Sequence, residues 1–194
     1  MLNYMPQVWT SDNTDAIDRL KIQYGTSFAY PVSAMGAHVS VCPNHGTSIS
    51  TPLKTRGVVA YFGTYGLELD ITKMTSEDKE EIKRQIKEFK KYYSLIQYGD
   101  YYRLQGPFDE KAFYCVWQVV SEDKSEALVA SVRHKMEAGF VHEIIKLKGL
   151  KPDAYYRIND GKQLYLGAAL MEHGLKMEFD FIPYPARLYH ITEA

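Results

Sequence analysis

Three aspartates stand three residues apart in the segment Ser11-Asp12-Asn13-Thr14-Asp15-Ala16-Ile17-Asp18. They follow Met5-Pro6-Gln7-Val8-Trp9, which reads as a strand running into a loop, and they precede a helical pattern. A carboxyl just beyond a strand end is placed as catalytic groups are in barrels of parallel strands. Beside Trp9, with limited water, Asp12 would hold its proton well enough to serve as a general acid. The same position also suits an N-cap, whose side chain accepts from the free N–H groups of a first helical turn, and the pattern alone favours the cap. Asp15 and Asp18 read as helix-surface residues, with Asp15 spaced to pair with Arg19.

Other chemistry-bearing types are thinly spread. Cys42 and His45 form a C-x-x-H pair, and His38 lies seven residues before His45. A metal site needs further ligands at suitable spacing, and none is near, so no metal is expected. A Cys42 nucleophile with His45 as base is a paper alternative, but a Cys that ends an apolar run before Pro43 reads as a packed residue. Gly25, Gly63 and Gly66 make neither G-x-G-x-x-G nor a phosphate loop, and no Gly-x-Ser-x-Gly elbow occurs. No cofactor is implied.

Composition narrows the class. Of 194 residues, 45% are hydrophobic and 24% charged, which excludes a disordered or low-complexity chain. A net charge of −1 makes neither nucleic acid nor an anionic membrane an expected partner. Two distant cysteines, Cys42 and Cys115, fit a reducing compartment, and a cytoplasmic location is expected. The first nine residues lack the pattern of a secretion signal, and no run approaches the ~20 apolar residues of a membrane span. The 16 tyrosines suit half-buried rings with polar tips, as at sugar sites and subunit interfaces, although core packing accounts for most.

Two halves must position these residues. In the first, residues 14–25 read as a short helix with Ile17, Leu20 and Tyr24 on one face and Gly25 as the residue that stops it. Apolar runs at 37–42 and 57–63 read as further strands. Thr75-Ser76-Glu77-Asp78 reads as the capped start of a helix carrying Ile82, Ile86, Phe89, Tyr93 and Ile96, closed by Gly99. Its Lys83, Lys87 and Lys90 stripe reads as a solvated face. Strand, helix, strand, helix is the rhythm of an α/β layer. From residue 100 the pattern changes to short strands at 100–104, 112–120, 126–134, 141–150, 155–159, 163–170, 176–182 and 187–192. Turn residues separate them, including Glu137-Ala138-Gly139 and a hairpin signal at Asp160-Gly161. That reads as an antiparallel sandwich. The expected division is 1–102 and 103–194.

One resemblance is more specific than any single motif. The run PQVWTSDNTDAIDRLKIQYGTSFAYPVSAMGAHVSVCPNH, with TPLKTRGVVA, FGTYGLELD and IKRQIKEFKKYYSLIQYGDYYRL, closely resembles bacterial α-galactosidases of glycoside hydrolase family 36. The likeness starts at about Leu2, is strongest to Leu104, and continues more loosely through LKGLKPDAYYRI. It implies the C-terminal strands and helices of a (β/α)8 TIM barrel, strands six to eight, followed by a small antiparallel β-sandwich domain. It implies retaining hydrolysis of terminal α-linked galactose from melibiose and raffinose-type sugars, commonly by homotetramers. In this family the first Asp of an S-D-[DN]-T-D motif is the acid/base, which maps to Asp12 and turns the reading of that residue from cap to proton donor and acceptor.

The chain departs from the family twice. It holds no Lys-Trp-Asp, the motif of the nucleophile: Trp9 and Trp117 are its two tryptophans, and neither precedes an Asp. The expected reading is therefore a C-terminal part that carries the acid/base without its partner, is silent alone, depends on the missing N-terminal barrel portion, and aggregates or oligomerises through an open strand edge. The loop Asn44-His45-Gly46-Thr47-Ser48-Ile49-Ser50 also lacks the family's usual Asn-His-Gln-Thr-Gly-Arg ending, which puts any contact made by that Arg in doubt. A non-catalytic remnant that binds sugar or a subunit, and an α-N-acetylgalactosaminidase specificity, are the alternatives.

Overall fold

The computed structural model describes residues 3–137, 142–178 and 180–194. The chain divides into two compact units, Met1–Gln97 and Tyr98–Ala194.

In the first unit, α1 spans Ala16–Thr26, β1 Gly36–Ser40, α2 Leu53–Ala60 and β2 Thr64–Glu68, and α3, Ser76–Tyr98, leaves it. β1 and β2 pair in parallel, with His38 opposite Gly66. Ala37 and Val39 point to one side of β1, where they form a core with Ala60 and Ile82, packed by Tyr65, Leu67 and Ile86. Gly36, His38 and Ser40 alternate to the other side.

Several expectations are corrected here. Residues 5–9 are not a strand: a single parallel bridge joins Val8 to Met35, with Val8 N–H donating to Ala34 O at 2.6 Å and Gly36 N–H to Val8 O at 3.0 Å. Pro6 has no N–H to extend that pairing. The run at 57–63 is not a strand either. Its first residues finish α2, and the strand lies later, at 64–68. A fully buried apolar run has no periodicity to separate helix from strand. Gly57 stays in the helix because of close packing: a Cβ there would meet the Gln85 side chain at 2.3 Å. Gly25 lies inside α1, which ends one residue later with Ser27 as its cap.

The buried face of α1 is Ala16, Arg19, Leu20 and Gln23, not the apolar face expected from Ile17, Leu20 and Tyr24. Two polar residues can sit inside because the backbone of neighbouring elements satisfies them: Gln23 Nε2 donates to Val59 O and Phe62 O at 3.0 and 2.9 Å. α3 starts as its sequence indicates, with Asp78 N–H donating to Thr75 Oγ1 at 3.1 Å. Lys83, Lys87 and Lys90 are exposed.

The second unit is a six-stranded sheet in the order β3-β4-β5-β10-β7-β8, from strands Asp100–Gln105, Tyr114–Val120, Glu126–Arg133, Ala186–Glu193, Tyr155–Ile158 and Tyr165–Leu166. Every pairing in it is antiparallel. β6, Ile144–Ile145, pairs with β9, Leu175–Lys176. The strand expected over 163–170 is only its first part. Gly167–Glu172 turns instead into the short helix α4. Those expected over 141–150 and 176–182 shrink to β6 and β9, and their Val141 and Phe179, like the turn residues Ala138 and Gly139, lie outside the described residues. The hairpin turn centres on Asn159 and Asp160, both at positive φ, 52° and 57°. Gly161 N–H closes this turn onto Ile158 O at 2.9 Å, but β7 meets β8 only at Tyr155–Leu166 and Tyr156–Tyr165, so the connection is a longer loop than the tight hairpin expected. Tyr156 is fully buried, with its polar tip satisfied by backbone: its ring is in the core, while its hydroxyl donates to Lys124 O at 2.8 Å and accepts from Lys151 N–H at 2.9 Å.

Candidate active site

Asp12 lies between the Val8 bridge and α1, on the side where β1 and β2 also end. It does not cap the helix. That role belongs to Asp15, whose Oδ1 accepts from Ile17 N–H at 2.8 Å and Asp18 N–H at 3.1 Å. Asp15 is only 2% exposed, so it is no helix-surface residue, and it does not pair with Arg19. With the cap filled three residues on, the Asp12 carboxyl is free for other work. Its Oδ1 accepts the indole Nε1–H of Trp9 at 2.8 Å. The expected neighbour is present, but the expected dryness is not: Asp12 is exposed and Trp9 is 52% exposed.

The remaining residues of the motif are tied down one by one. Ser11 Oγ accepts from Asn13 N–H, Asn13 Nδ2 donates to Asp18 Oδ2, and Asn13 Oδ1 accepts from Asp15 N–H. Ser40 Oγ donates to Thr14 O at 3.0 Å, fixing this loop to the end of β1. Arg19, buried, donates to Gln23 Oε1, Ser11 O and Gly36 O. Burial holds its guanidinium below the usual arginine range, and Glu68 acts in the other direction. A buried cation spent on two carbonyls is a device for fixing backbone, here that of Ser11 and Gly36.

The loop after β1 completes the frame. Asn44, buried, donates to Thr14 Oγ1 at 3.2 Å, and its Oδ1 accepts from Gly46 and Thr47 N–H. Thr47 Oγ1 donates to Asp15 Oδ2 at 2.7 Å. The departures at Gly46, Ser48 and Ile49 therefore leave the two residues that clasp this loop, Asn44 and Thr47, intact.

His38 stands apart from His45. Its ring lies against Trp9, centroids 4.6 Å apart at 38°. Burial pushes its imidazole below the ordinary histidine value, Glu68 opposes that and Arg19 adds to it. The ring is thus neutral at neutral pH. Cys42 Sγ donates to Thr51 O at 3.5 Å, and His45 is exposed in the loop. Among the described residues, no group of three or more His, Cys, Asp or Glu side chains is arranged to hold a metal ion. Sequence reasoning missed Thr47, Asn44 and Glu68, and took His38 only as a possible ligand. The usable signal was the alternation in Gly36-Ala37-His38-Val39-Ser40, since a parallel strand buried on both faces reads as continuously apolar and this one does not.

A mixed α/β unit that presents a held carboxyl at the ends of parallel strands, followed in sequence by an antiparallel sheet, is an arrangement shared with glycoside hydrolases. The chain belongs to the melibiase family, within glycoside hydrolase family 36: residues 1–99 match the Melibiase family model and residues 114–191 the model of the glycosyl hydrolase family 36 C-terminal domain. It is 49% identical over 193 residues to the bifunctional alpha-galactosidase/sucrose kinase AgaSK of Mediterraneibacter gnavus, and 49% identical over 196 residues to alpha-galactosidase AgaA of Geobacillus stearothermophilus. All of this chain is covered in both cases, but only 20% and 26% of those relatives. The solved galactosidase domain of AgaSK superposes with a TM-score of 0.95 at 48% identity, covering 100% of this chain and 27% of that one. A substituted AgaA in complex with raffinose superposes with a TM-score of 0.94 at 45% identity, again over 100% of this chain and 27% of that one.

Proposed function

We propose that these residues are the C-terminal part of a retaining α-galactosidase and that Asp12 is its acid/base. The Val8 segment, β1 and β2 would be strands six, seven and eight of a (β/α)8 barrel, and the residues from about β3 onward the small antiparallel β-domain. One observation carries the reading: within Ser-Asp-Asn-Thr-Asp the helix cap is taken by Asp15, and Asp12 is left exposed at the strand ends with one oxygen held by Trp9.

Retention requires two carboxyl groups about 5–5.5 Å apart across the glycosidic bond. A carboxylate attacks the anomeric carbon while Asp12 gives its proton to the departing oxygen. The resulting glycosyl ester is then opened by water, whose proton returns to Asp12. These 194 residues hold no Lys-Trp-Asp, so the nucleophile must come from a polypeptide that also supplies the other barrel strands. Raffinose-type galactosides are the substrates we assign, on the strength of the relatives' names and the raffinose complex of AgaA. We assign homo-oligomeric assembly from the family resemblance, and a cytoplasmic location, which the two unpaired cysteines support.

The test is hydrolysis of p-nitrophenyl α-galactoside and raffinose. The 194-residue chain alone should be inactive, and the full-length enzyme active, losing turnover on Asp12→Asn. Activity of the isolated chain that disappears on Asp12→Asn would overturn the division of the two carboxyls. Full activity of the Asp12→Asn enzyme would overturn the role of Asp12.

A further inference from the structure

The indole of Trp9 is fixed on several sides. Val8 beside it is bridged to Met35, and its ring lies against His38. Beneath it is Gly36, where a Cβ would stand 3.6 Å from Trp9 Cε3, 3.2 Å from Gln7 Nε2 and 3.4 Å from His38 Cε1. From that seat it donates Nε1–H to Asp12 Oδ1 at 2.8 Å. Among the described residues no hydrogen bond reaches Asp12 Oδ2. The two carboxyl oxygens are therefore not equivalent.

We propose that Trp9 is the positioning residue of the acid/base: it pins Oδ1, so that Oδ2 is the oxygen that carries the proton. This rests on the reading of Asp12 as acid/base. An indole N–H only donates, and it can do so to Oδ1 whether the carboxyl is protonated or ionised. In the first step the Oδ2–H bond breaks and an O–H bond forms on the leaving sugar, as the bond from the anomeric carbon to that oxygen breaks and leaves its electron pair there. In the second, a water O–H bond breaks, its proton returns to Oδ2, and the water oxygen replaces the ester oxygen on the anomeric carbon. The indole keeps its hydrogen throughout, and holds the carboxyl in one rotamer between the two steps. A side chain on an exposed loop otherwise samples several.

The experiment uses the full-length enzyme with Trp9→Phe and, separately, with Trp9 replaced by benzothienylalanine, which puts sulfur where the N–H was and keeps the ring against His38. The readout is kcat/KM for raffinose and for p-nitrophenyl α-galactoside. A nitrophenolate leaves without a proton, whereas the sugar of raffinose needs one. Loss of a hydrogen bond to a charged group predicts a fall of about ten- to hundredfold on raffinose and of no more than about twofold on the aryl substrate, in both variants. Equal losses on both substrates, or none on either, would overturn the proposal while Asp12→Asn still shows the leaving-group dependence. If Asp12→Asn itself shows no such dependence, the acid/base reading falls, and this proposal with it. Unchanged melting temperature of the benzothienyl variant separates the effect from misfolding.

Discussion

Thr47 gives its hydroxyl hydrogen to Asp15 Oδ2 at 2.7 Å across 32 residues of sequence. The other oxygen of that carboxylate caps α1. One buried acid therefore ends a loop, starts a helix and latches the loop beyond β1, and Asp12 lies three residues before it. The loop that carries the proposed acid/base is anchored by this neighbouring carboxylate.

Asp15→Ala removes the cap and strands the Thr47 hydroxyl, and the cost expected is about 2–3 kcal/mol in a denaturant melt. Thr47→Val removes one bond, at about 1 kcal/mol. Because the two losses share a bond, the double variant should be less destabilised than their sum, by about 1 kcal/mol. Additive losses would mean that the latch does not form in solution.

Much of this frame could be read from sequence, and the failures have physical causes. Thr75 and its helix were legible because a cap followed by helical spacing is a local signal. The strands of the second half were legible where a mainly apolar run stretched between turn residues, as in β4, β5 and β10, and not in the two-residue β6 and β9, which exist only through their pairing. Arg19 and Gln23 lie off the apolar face that the sequence indicates for α1, and their burial was not legible because it depends on carbonyls that come from residues 11, 36, 59 and 62. The cap falls to Asp15 and not to Asp12 for the same reason: both suit it by type, and only the fold decides which one the first turn of α1 reaches.

His38 predicts a dependence on pH. Burial holds its folded value below the usual 6.5, with Glu68 opposing and Arg19 reinforcing. As pH falls, the unfolded chain takes up the proton first, so stability declines. The contribution of neutral His38 is complete above the unfolded value, about 6.5, and is lost as pH falls through the lower folded one. Melting temperature should therefore fall from pH 7 to pH 5, and fall less in His38→Gln. A variant as steep as the parent would place the titration elsewhere.

The two thiols should separate cleanly. Cys115 is wholly buried in β4, and burial pushes its thiol up to about 12. Cys42 is half-buried in the first unit. Since the thiolate is the reactive form, a disulfide reagent at pH 8 should label one cysteine of the native chain and the second only in denaturant. Cys42→Ser should abolish the native labelling. Rapid labelling of both would mean that the six-stranded sheet opens readily.

Gly66 is the tightest constraint on the candidate site. A Cβ there would stand 2.5 Å from His38 Cδ2 and 2.9 Å from Nε2, so Gly66→Ala must drive the imidazole from its place. That ring supports Trp9, and Trp9 holds Asp12. Overpacking of this kind costs about 1–3 kcal/mol. The displacement should also change the indole N–H resonance of Trp9, while that of Trp117, buried in β4, stays where it is. Adding His38→Ala gives the new methyl room, so the double variant should regain part of the stability lost, though not the packing against Trp9. If Gly66→Ala leaves the Trp9 resonance unmoved, the histidine does not carry the indole, and the support of Asp12 reduces to the bridge at Val8 and the seat over Gly36.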